Sequence, residues 1–198
     1  TGVQIGGGVR LNSTTKAFSQ GTSMVTGGQL DMAIQGNGFF RATQPDGAEV
    51  YTRDGSFRLN SQGQIVTSDG LQVSPAISVP NDAVNITVGV DGTVNAKLPD
   101  GSVTNVGQLQ LVNFVNPSGL ESIGRNFYRE TPASGAPTIG IPGEQGLGQI
   151  FQGFLEGSNV ETVTELVNMI IAQRAYEINS RGIRAADQMI STAASMMR

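Results

Sequence analysis

The side chains that most often carry out chemistry in proteins are scarce in this chain. Cysteine and histidine are both absent, which excludes disulfides, thiolate nucleophiles, zinc sites built from these residues and histidine general bases. An enzyme would have to use carboxylates, hydroxyls, Lys, Arg or Tyr. A carboxylate-based glycosidase could use the pair Glu49 and Asp54 or the pair Glu121 and Glu130 across a cleft. Isolated acids in a strand-rich region are normally surface charges, so we predict a protein without catalytic residues.

Aspartate-glycine pairs are the second group of residues with a chemical interpretation. Because carboxylates in tight loops can surround a hard cation, these pairs could form a calcium site. Neither the twelve-residue loop spacing nor a tandem nonapeptide repeat is present, so the pattern favours five hairpin turns, with no metal and no cofactor. The five pairs are Asp46-Gly47, Asp54-Gly55, Asp69-Gly70, Asp91-Gly92 and Asp100-Gly101.

Binding motifs for phosphate and for nucleic acid are also missing. The clusters Gly6-Gly7-Gly8 and Gly36-Asn37-Gly38 are not followed by Gly-Lys-Ser/Thr or by a helix start, so we interpret both as bends. The net charge is -4, from 12 basic and 16 acidic residues. A chain with this balance and no basic patch is not expected to bind nucleic acid.

The elements that would position these side chains are mostly strands. Short runs of β-forming residues alternate with turn signals from Gly28 to Phe127, which predicts an antiparallel, β-rich domain over residues 30–131. The overall fold class is therefore mainly β with one long C-terminal α-helix. The candidate strands are Gly38 to Thr43, Val50 to Arg53, Ser56 to Leu59, Asn85 to Val90 and Gln108 to Phe114, the last of which begins with the alternation of a half-buried strand.

Two segments flank this domain and differ from it in composition. Residues 1–29 are low in charge and rich in Gly, Ser and Thr, and residues 132–157 are rich in Pro and Gly. Both compositions are more typical of extended spacers than of a core. We predict that the second segment is a connector that packs with the first.

The last part of the chain is predicted to be a single helix. All eight prolines and 26 of the 27 glycines precede Ser158, and apolar residues then recur at helical spacing over residues 158–198. A capping box formed by Ser158, Asn159 and Glu161 would begin the helix. The residues predicted to pack between subunits are Val160, Val163, Leu166, Val167, Met169, Ile170, Ile171, Ala175, Tyr176, Ile178, Ile183, Met189 and Ile190.

This helix would carry more apolar surface than one small domain can cover. Its apolar residues form two stripes, and at 1.5 Å per residue it would be roughly 60 Å long. Neighbouring chains must therefore bury it, which predicts coiled-coil-type packing. Charged residues such as Glu165, Arg174 and Asp187 interrupt the apolar sequence of the helix. The helix therefore lacks the ~20 consecutive uncharged apolar residues of a membrane span, and no membrane insertion is expected.

Several separated motifs resemble those of one known family. Those near the C-terminus are Glu156-Gly157-Ser158-Asn159-Val160, Glu165-Leu166-Val167-Asn168-Met169-Ile170 and Gln173-Arg174-Ala175-Tyr176-Glu177-Ile178-Asn179-Ser180. Those in the body are Gln35-Gly36-Asn37-Gly38-Phe39-Phe40, Tyr51-Thr52-Arg53-Asp54-Gly55-Ser56-Phe57 and Gly119-Leu120-Glu121-Ser122-Ile123-Gly124. In this order they resemble the bacterial flagellar rod and hook family, and most of all its distal-rod members.

The resemblance implies a structural role without catalysis. Members of this family form a hollow axial filament, with a tube of paired N- and C-terminal helices inside and β domains outside. A distal-rod member would be a repeated subunit of a rigid drive shaft that carries torque from the motor to the hook. Its implied partners are further copies of itself, proximal-rod and hook subunits and the surrounding bushing rings. Its implied location is the basal body in the periplasm, reached by the flagellar type III export apparatus.

The resemblance also suggests how the helix is used. The sequence begins beyond the family's N-terminal helix, so we expect the chain as given to be monomeric with a loosely held C-terminal segment. Asn168, Gln173, Arg174 and Asn179 are predicted to fix the register between helices by hydrogen bonding, and a solvated polar face is the alternative interpretation.

Two other functions remain open at this stage. One is a hook or proximal-rod member of the same family. The other, from a different class, is a cell-wall glycan-binding module in the β region, against which the 6% aromatic content and the absence of tryptophan argue.

Overall fold

The computed structural model describes residues 16–196, which belong to two compact units divided between Gly157 and Ser158. The first unit is built of β-strands and the second is a helix, which confirms the predicted fold class. The strands are β1 (Ser23–Val25), β2 (Met32–Gln35), β3 (Phe39–Thr43), β4 (Glu49–Thr52), β5 (Phe57–Leu59), β6 (Ile65–Thr67), β7 (Gln72–Ser74), β8 (Asn85–Val88), β9 (Thr93–Lys97), β10 (Val103–Gln108), β11 (Leu111–Asn113), β12 (Glu121–Gly124), β13 (Phe127–Arg129), β14 (Thr138–Gly140), β15 (Gln149–Gln152) and β16 (Phe154–Glu156). The helix is α1 (Thr162–Met196).

The strands form one large antiparallel sheet and three small ones. The large sheet has nine strands, in the order β12-β13-β4-β3-β7-β6-β5, with β11 paired to both β3 and β14. A second sheet has the order β10-β9-β8, and two ribbons pair β1 with β16 and β15 with β2. Each pairing is antiparallel.

The large sheet is covered on both faces. Because side chains alternate between the faces of a strand, Phe40 of β3 points into the main core and its neighbour Phe39 points into a second, aromatic cluster. The main core is formed by Met32, Ile34, Phe40, Phe57, Ile65, Val73, Ile77, Val79, Ile86, Val88, Val94, Ala96, Leu109, Leu111, Leu147 and Ile150. This double coverage explains why Phe39 and Phe40, which are neighbours in β3, are both buried.

Four of the five Asp-Gly pairs form hairpin turns, as predicted. They join β3 to β4, β6 to β7, β8 to β9 and β9 to β10. In each turn the glycine has a φ between 80° and 87°, and its N–H donates to the carbonyl three residues earlier. Glycine is favoured here because residues with a Cβ rarely adopt this backbone conformation.

The fifth pair, Asp54-Gly55, is not a hairpin turn, and that prediction was wrong. The strands on either side of it, β4 and β5, are not paired with each other. A Cβ placed on Gly55 would overlap the carbonyl oxygen of Met32, so this glycine permits close approach to β2. Asp54 accepts hydrogen bonds from the N–H and hydroxyl of Ser56 at 3.0 and 2.7 Å, which holds the bend.

The segment 132–157 also differs from its prediction as a spacer. It supplies β14, β15 and β16, and within it Leu147 and Ile150 lie in the main core at 7% and 0% exposure. In the described part of the N-terminal segment, β1 pairs with β16. Composition was misleading because Gly and Pro mark turns without showing whether the residues between them pair.

Two predicted boundaries are corrected by the structure. The strand expected from Gln108 to Phe114 is divided between β10 and β11, although Leu109 and Leu111 are both buried. The helix begins at Thr162 rather than at the predicted cap, because the Ser158 hydroxyl accepts from the Val160 N–H, only two residues on, at 3.1 Å. The Glu161 carbonyl accepts the first helical bond, from the Glu165 N–H at 3.1 Å. The Glu161 carboxylate accepts from the Thr164 hydroxyl at 2.9 Å.

Candidate assembly surface

The most unusual surface of the described protein is the helix α1. None of its 35 residues is buried. Together with Val160, which precedes the helix, its large apolar side chains that were predicted to pack between subunits are 48–75% exposed, and Ala175 is exposed as well. They are Val160, Val163, Leu166, Val167, Met169, Ile170, Ile171, Tyr176, Ile178, Ile183, Met189 and Ile190.

The exposed apolar residues fall on two sides of α1. Met169, Tyr176, Ile183 and Ile190 recur at every seventh position, which is the spacing of a coiled-coil seam. A second series begins with Ile171 and Ile178 and continues to Met189 and Met196. Since consecutive residues are about 100° apart around a helix, residues 169 and 171 differ by about 200°, and the two seams face nearly opposite directions.

The residues predicted to fix the register between helices are also exposed. Asn168, Gln173, Arg174 and Asn179 lie on α1 with their side chains at the surface. The ion pair recorded on this helix joins Glu177 to Arg181 at 3.9 Å. Exposed pairs of this kind contribute little to stability, so α1 has little side-chain support of its own.

A partly buried ion pair lies just before the helical unit in the sequence. Arg53 follows β4 and donates from Nε to the Glu156 carboxylate at 2.8 Å, and the two side chains are only 17% and 10% exposed. The guanidinium also donates to the carbonyl oxygens of Gly36 at 3.1 Å, Gly38 at 3.0 Å and Ile34 at 3.3 Å. Arg53 therefore joins the last strand of the β unit to the loop between β2 and β3.

The N-terminal segment takes part in the same network. The second carboxylate oxygen of Glu156 accepts from the Gly21 N–H at 2.9 Å. The Gln20 side chain accepts from the Gly36 N–H at 3.0 Å and donates to the Ile34 carbonyl at 3.2 Å. Three of the motifs quoted from the sequence thus meet around one arginine. Sequence reasoning missed this pair because 103 residues separate its members.

The aromatic cluster on the second face of the large sheet is packed internally. Tyr51 and Phe114 lie 4.8 Å apart between ring centres, and Phe18 contacts Phe39 and Tyr128 at 5.6 and 5.2 Å. Burial, with the nearby Glu49 carboxylate, raises the pKa of the Tyr51 phenol well above its usual range. These rings therefore stabilise the β unit and do not form an exposed stacking platform.

Of the four acids considered for catalysis, Glu49 and Asp54 have structural partners, whereas Glu121 and Glu130 are exposed. Glu49 forms an ion pair with Arg41 at 2.7 Å and accepts a hydrogen bond from the Tyr51 hydroxyl at 3.3 Å. Asp54 accepts a hydrogen bond from the Ser56 hydroxyl, which stabilises the bend after β4. Glu121 is exposed at the start of β12. Among residues 16–196, no three acidic side chains are grouped closely enough to hold a metal ion. The bend at Gly36 lies within the described residues, in a shallow groove shared with Gly146 and Gly148, whereas Gly6-Gly7-Gly8 lies outside them.

Within residues 16–196, no helix combines the length and the apolar content that a transmembrane segment requires.

The fold and this surface define a class of protein. The β unit contains every buried residue of the described chain, whereas α1 exposes apolar seams on two sides. Such a chain has the features of a structural subunit made for incorporation into a larger assembly.

Comparison with known proteins gives the particular family. Residues 33–96 match the family described as the flagellar hook protein FlgE/F/G D1 domain, and residues 152–196 match the flagellar basal body rod FlgEFG protein C-terminal family. The flagellar basal-body rod protein FlgG of Buchnera aphidicola (Schizaphis graminum) is 49% identical over 191 residues, which cover 96% of this chain and 74% of that protein. The FlgG protein of Caulobacter vibrioides is 48% identical over 99% of this chain and 75% of its own length.

A hook protein is a more distant relative. The flagellar hook protein FlgE of Salmonella typhimurium is 34% identical over 91% of this chain but only 43% of its own length. The chain belongs to the family of flagellar basal-body rod proteins, whose FlgG members it matches over nearly its whole length.

Proposed function

We propose that this protein is a structural subunit of the flagellar distal rod, which polymerises into a hollow, rigid shaft and transmits torque from the motor to the hook. The observation that carries the proposal is the exposure of the apolar side chains of α1, at 48–75% for its larger predicted packing residues. Apolar surface of this extent is unfavourable in water. A tubular lattice would remove it from solvent on both sides of the helix.

The two seams explain why neighbours on two sides are needed. A helix with one apolar seam is satisfied by one partner, whereas seams about 200° apart require two. A head-to-tail contact of this kind generates an open helical filament when its rotation does not close. Many such contacts act in parallel in a filament, so each carries a small part of the shear. In this proposal Asn168, Gln173, Arg174 and Asn179 set the register between helices, and the β unit forms the outer layer.

The partners and the location follow from the same role. The subunit contacts further copies of itself, joins proximal-rod subunits at one end and hook subunits at the other, and turns inside the bushing rings. It functions in the periplasm after export by the flagellar type III apparatus. Its role is mechanical, and we assign it no catalytic residue and no cofactor.

The hook is the second candidate within this family. The similarity to a hook protein supports it, but identity falls from 49% to 34%, and the chain accounts for less than half of that protein. The rod is therefore the favoured assembly.

Electron microscopy of the full-length protein tests the proposal. Wild-type protein is expected to form filaments or rod-like particles. The variant Ile178→Glu places a charge in an apolar seam and should prevent assembly, because the carboxylate would lose its hydration in the contact. The matched control Ser191→Glu adds the same charge at an exposed position outside both seams and should assemble. Filaments that form equally well with Ile178→Glu would contradict the proposal.

A further inference from the structure

The ribbon formed by β1 and β16 is weak by itself. It pairs only Ser23–Val25 with Phe154–Glu156, and Met24 and Val25 are 54% and 76% exposed. An isolated two-stranded ribbon is marginally stable in water at best. Yet β16 ends at Glu156, and the β unit itself ends at the next residue, Gly157. Any force on α1 therefore reaches the β unit first at this two-stranded ribbon.

The partly buried pair Arg53–Glu156 lies at this same place. Glu156 is the last residue of β16, and it is held by Arg53 Nε at 2.8 Å and by the Gly21 N–H at 2.9 Å. Arg53 is itself fixed by three carbonyl oxygens of the segment from Ile34 to Gly38. Charge-assisted hydrogen bonds of this kind are roughly twice as strong as neutral ones.

The chain is also held on the far side of the pair. The Gly157 N–H donates to the Thr22 carbonyl at 2.8 Å, immediately beside β1. A Cβ at Gly157 would lie 3.1 Å from that carbonyl oxygen, so the backbones are in close contact. The last residues before the helical unit are therefore bonded to the N-terminal segment and, through Arg53, to the nine-stranded sheet.

We propose that Arg53 and Glu156 are positioning residues that fix the point where the chain leaves the β unit, so that force on α1 passes into the large sheet. The inference rests on the torque-transmitting role proposed above. Without this pair, force would peel β16 from β1. With it, peeling also requires breaking the two hydrogen bonds of the Glu156 carboxylate, to Arg53 and to the Gly21 N–H, while Arg53 stays bound to the three carbonyl oxygens.

Hydrogen exchange on the single chain tests the anchorage without any need for assembly. Arg53→Lys keeps the charge but cannot serve Glu156 and three carbonyls together, and Glu156→Gln keeps the shape but removes the charge. In both variants the amides of Gly21, Gly157 and the ribbon should exchange at least about tenfold faster than in the wild type, while those of β3 and β4 stay unchanged. The proposal would be overturned if the ribbon amides of these variants exchanged at the wild-type rate. It would also be overturned if amides throughout the large sheet exchanged faster by the same factor as those of the ribbon.

Glu49→Gln is the matched control. Glu49 also pairs with an arginine at 2.7 Å, but between β3 and β4 and away from the ribbon. This variant should leave exchange in the ribbon unchanged. If it accelerated the ribbon as much as Glu156→Gln, the effect would be a general loss of stability and the proposal would fail.

Pulling a single chain tests the mechanical claim directly. Because the protein contains no cysteine, handles can be attached at Asp100→Cys and Arg198→Cys alone. In the wild type the ribbon should detach together with the large sheet, and in Glu156→Gln it should detach first, as a separate event at lower force. Identical traces would overturn the anchor but leave filament formation untouched. A failure of the full-length protein to assemble would instead overturn the function proposed above.

Discussion

Single residues in this protein mostly serve the β unit. Gly55 is present because a side chain there would overlap the Met32 carbonyl, and Arg53 joins segments that are distant in sequence. Tyr51 is 1% exposed at the centre of the aromatic cluster. Each of these residues fits a space or completes a hydrogen-bond network that its neighbours define. The effect of replacing it on the stability of the β unit can therefore be predicted.

Tyr51 should make the protein sensitive to alkali. Because burial and Glu49 raise its pKa, the folded state keeps the phenol protonated above pH 10, where tyrosine in an unfolded chain ionises. Unfolding then releases a proton, so stability is unaffected by Tyr51 below about pH 10 and falls above it by up to about 1.4 kcal/mol per pH unit. Urea unfolding of the wild type and of Tyr51→Phe between pH 8 and 11 measures this.

The variant should separate two effects. At neutral pH, Tyr51→Phe should cost about 0.5–1.5 kcal/mol, since it loses the hydrogen bond to Glu49. Above pH 10 it should lose stability less steeply than the wild type. Burial also raises the pKa of Tyr128, so adding Tyr128→Phe should flatten the profile further. If the free energy of unfolding fell as steeply above pH 10 in Tyr51→Phe as in the wild type, the folded state would not be keeping the Tyr51 phenol protonated.

At the scale of elements, the hairpins and the helix differ in what stabilises them. The hairpins use local turns and pack their strands against a core, whereas α1 buries no side chain. Isolated helices depend on propensity alone and are marginal, and most helical stability in proteins comes from packing of an apolar face. Gly182 adds to this weakness, since glycine within a helix costs about 1 kcal/mol relative to alanine.

The helix should therefore exchange its amide hydrogens far faster than the large sheet. In a monomeric chain, residues 163–196 should show little protection, and the core strands β3, β4 and β11 should show the strongest. Hydrogen exchange with mass spectrometry measures both, and analytical ultracentrifugation confirms that the sample is monomeric. Strong protection throughout 163–196 in a verified monomer would mean that the helix is stabilised without partners, contrary to our interpretation.

The whole molecule combines a β unit that has its own core with a helix that has none. Every described residue that is buried lies before Ser158. The β unit contains residues from β1 to β16, so residues 132–157 and the described part of the N-terminal segment belong to one folded body with the predicted β-rich domain. We therefore expect the first unit to provide the stability of the chain and the second to provide contacts in the assembly.

Truncation should distinguish the two units. A chain ending at Gly157 should unfold with a free energy within about 1 kcal/mol of the longer chain, because α1 contributes no buried side chain. A chain ending at Glu130 should fail to fold, since it loses Leu147 and Ile150 from the main core. Circular dichroism with urea unfolding measures both. A large loss of stability on removing only the helix would contradict this division.

Much of this organisation could be predicted because it depends on local pattern. Turns at Asp46-Gly47 and Asp91-Gly92 require a positive φ that glycine supplies, and the seven-residue spacing from Met169 to Ile190 specifies a helix face. The start of the helix was misplaced because the Ser158 hydroxyl bonds one residue earlier than a capping box requires. The connector was misread because composition marks its turns but not its pairing partners.

The sequence by itself determined that a β region is followed by an amphipathic helix with more apolar surface than it can bury. Periodicity and turn chemistry are properties of residues close together in the chain, so they can be recognised from the sequence alone. Only the tertiary structure decided that Gly55 is a close approach rather than a turn, that residues 132–157 belong to the core, and that Arg53 binds Glu156. These facts depend on contacts between residues far apart in the chain, which a local pattern does not encode.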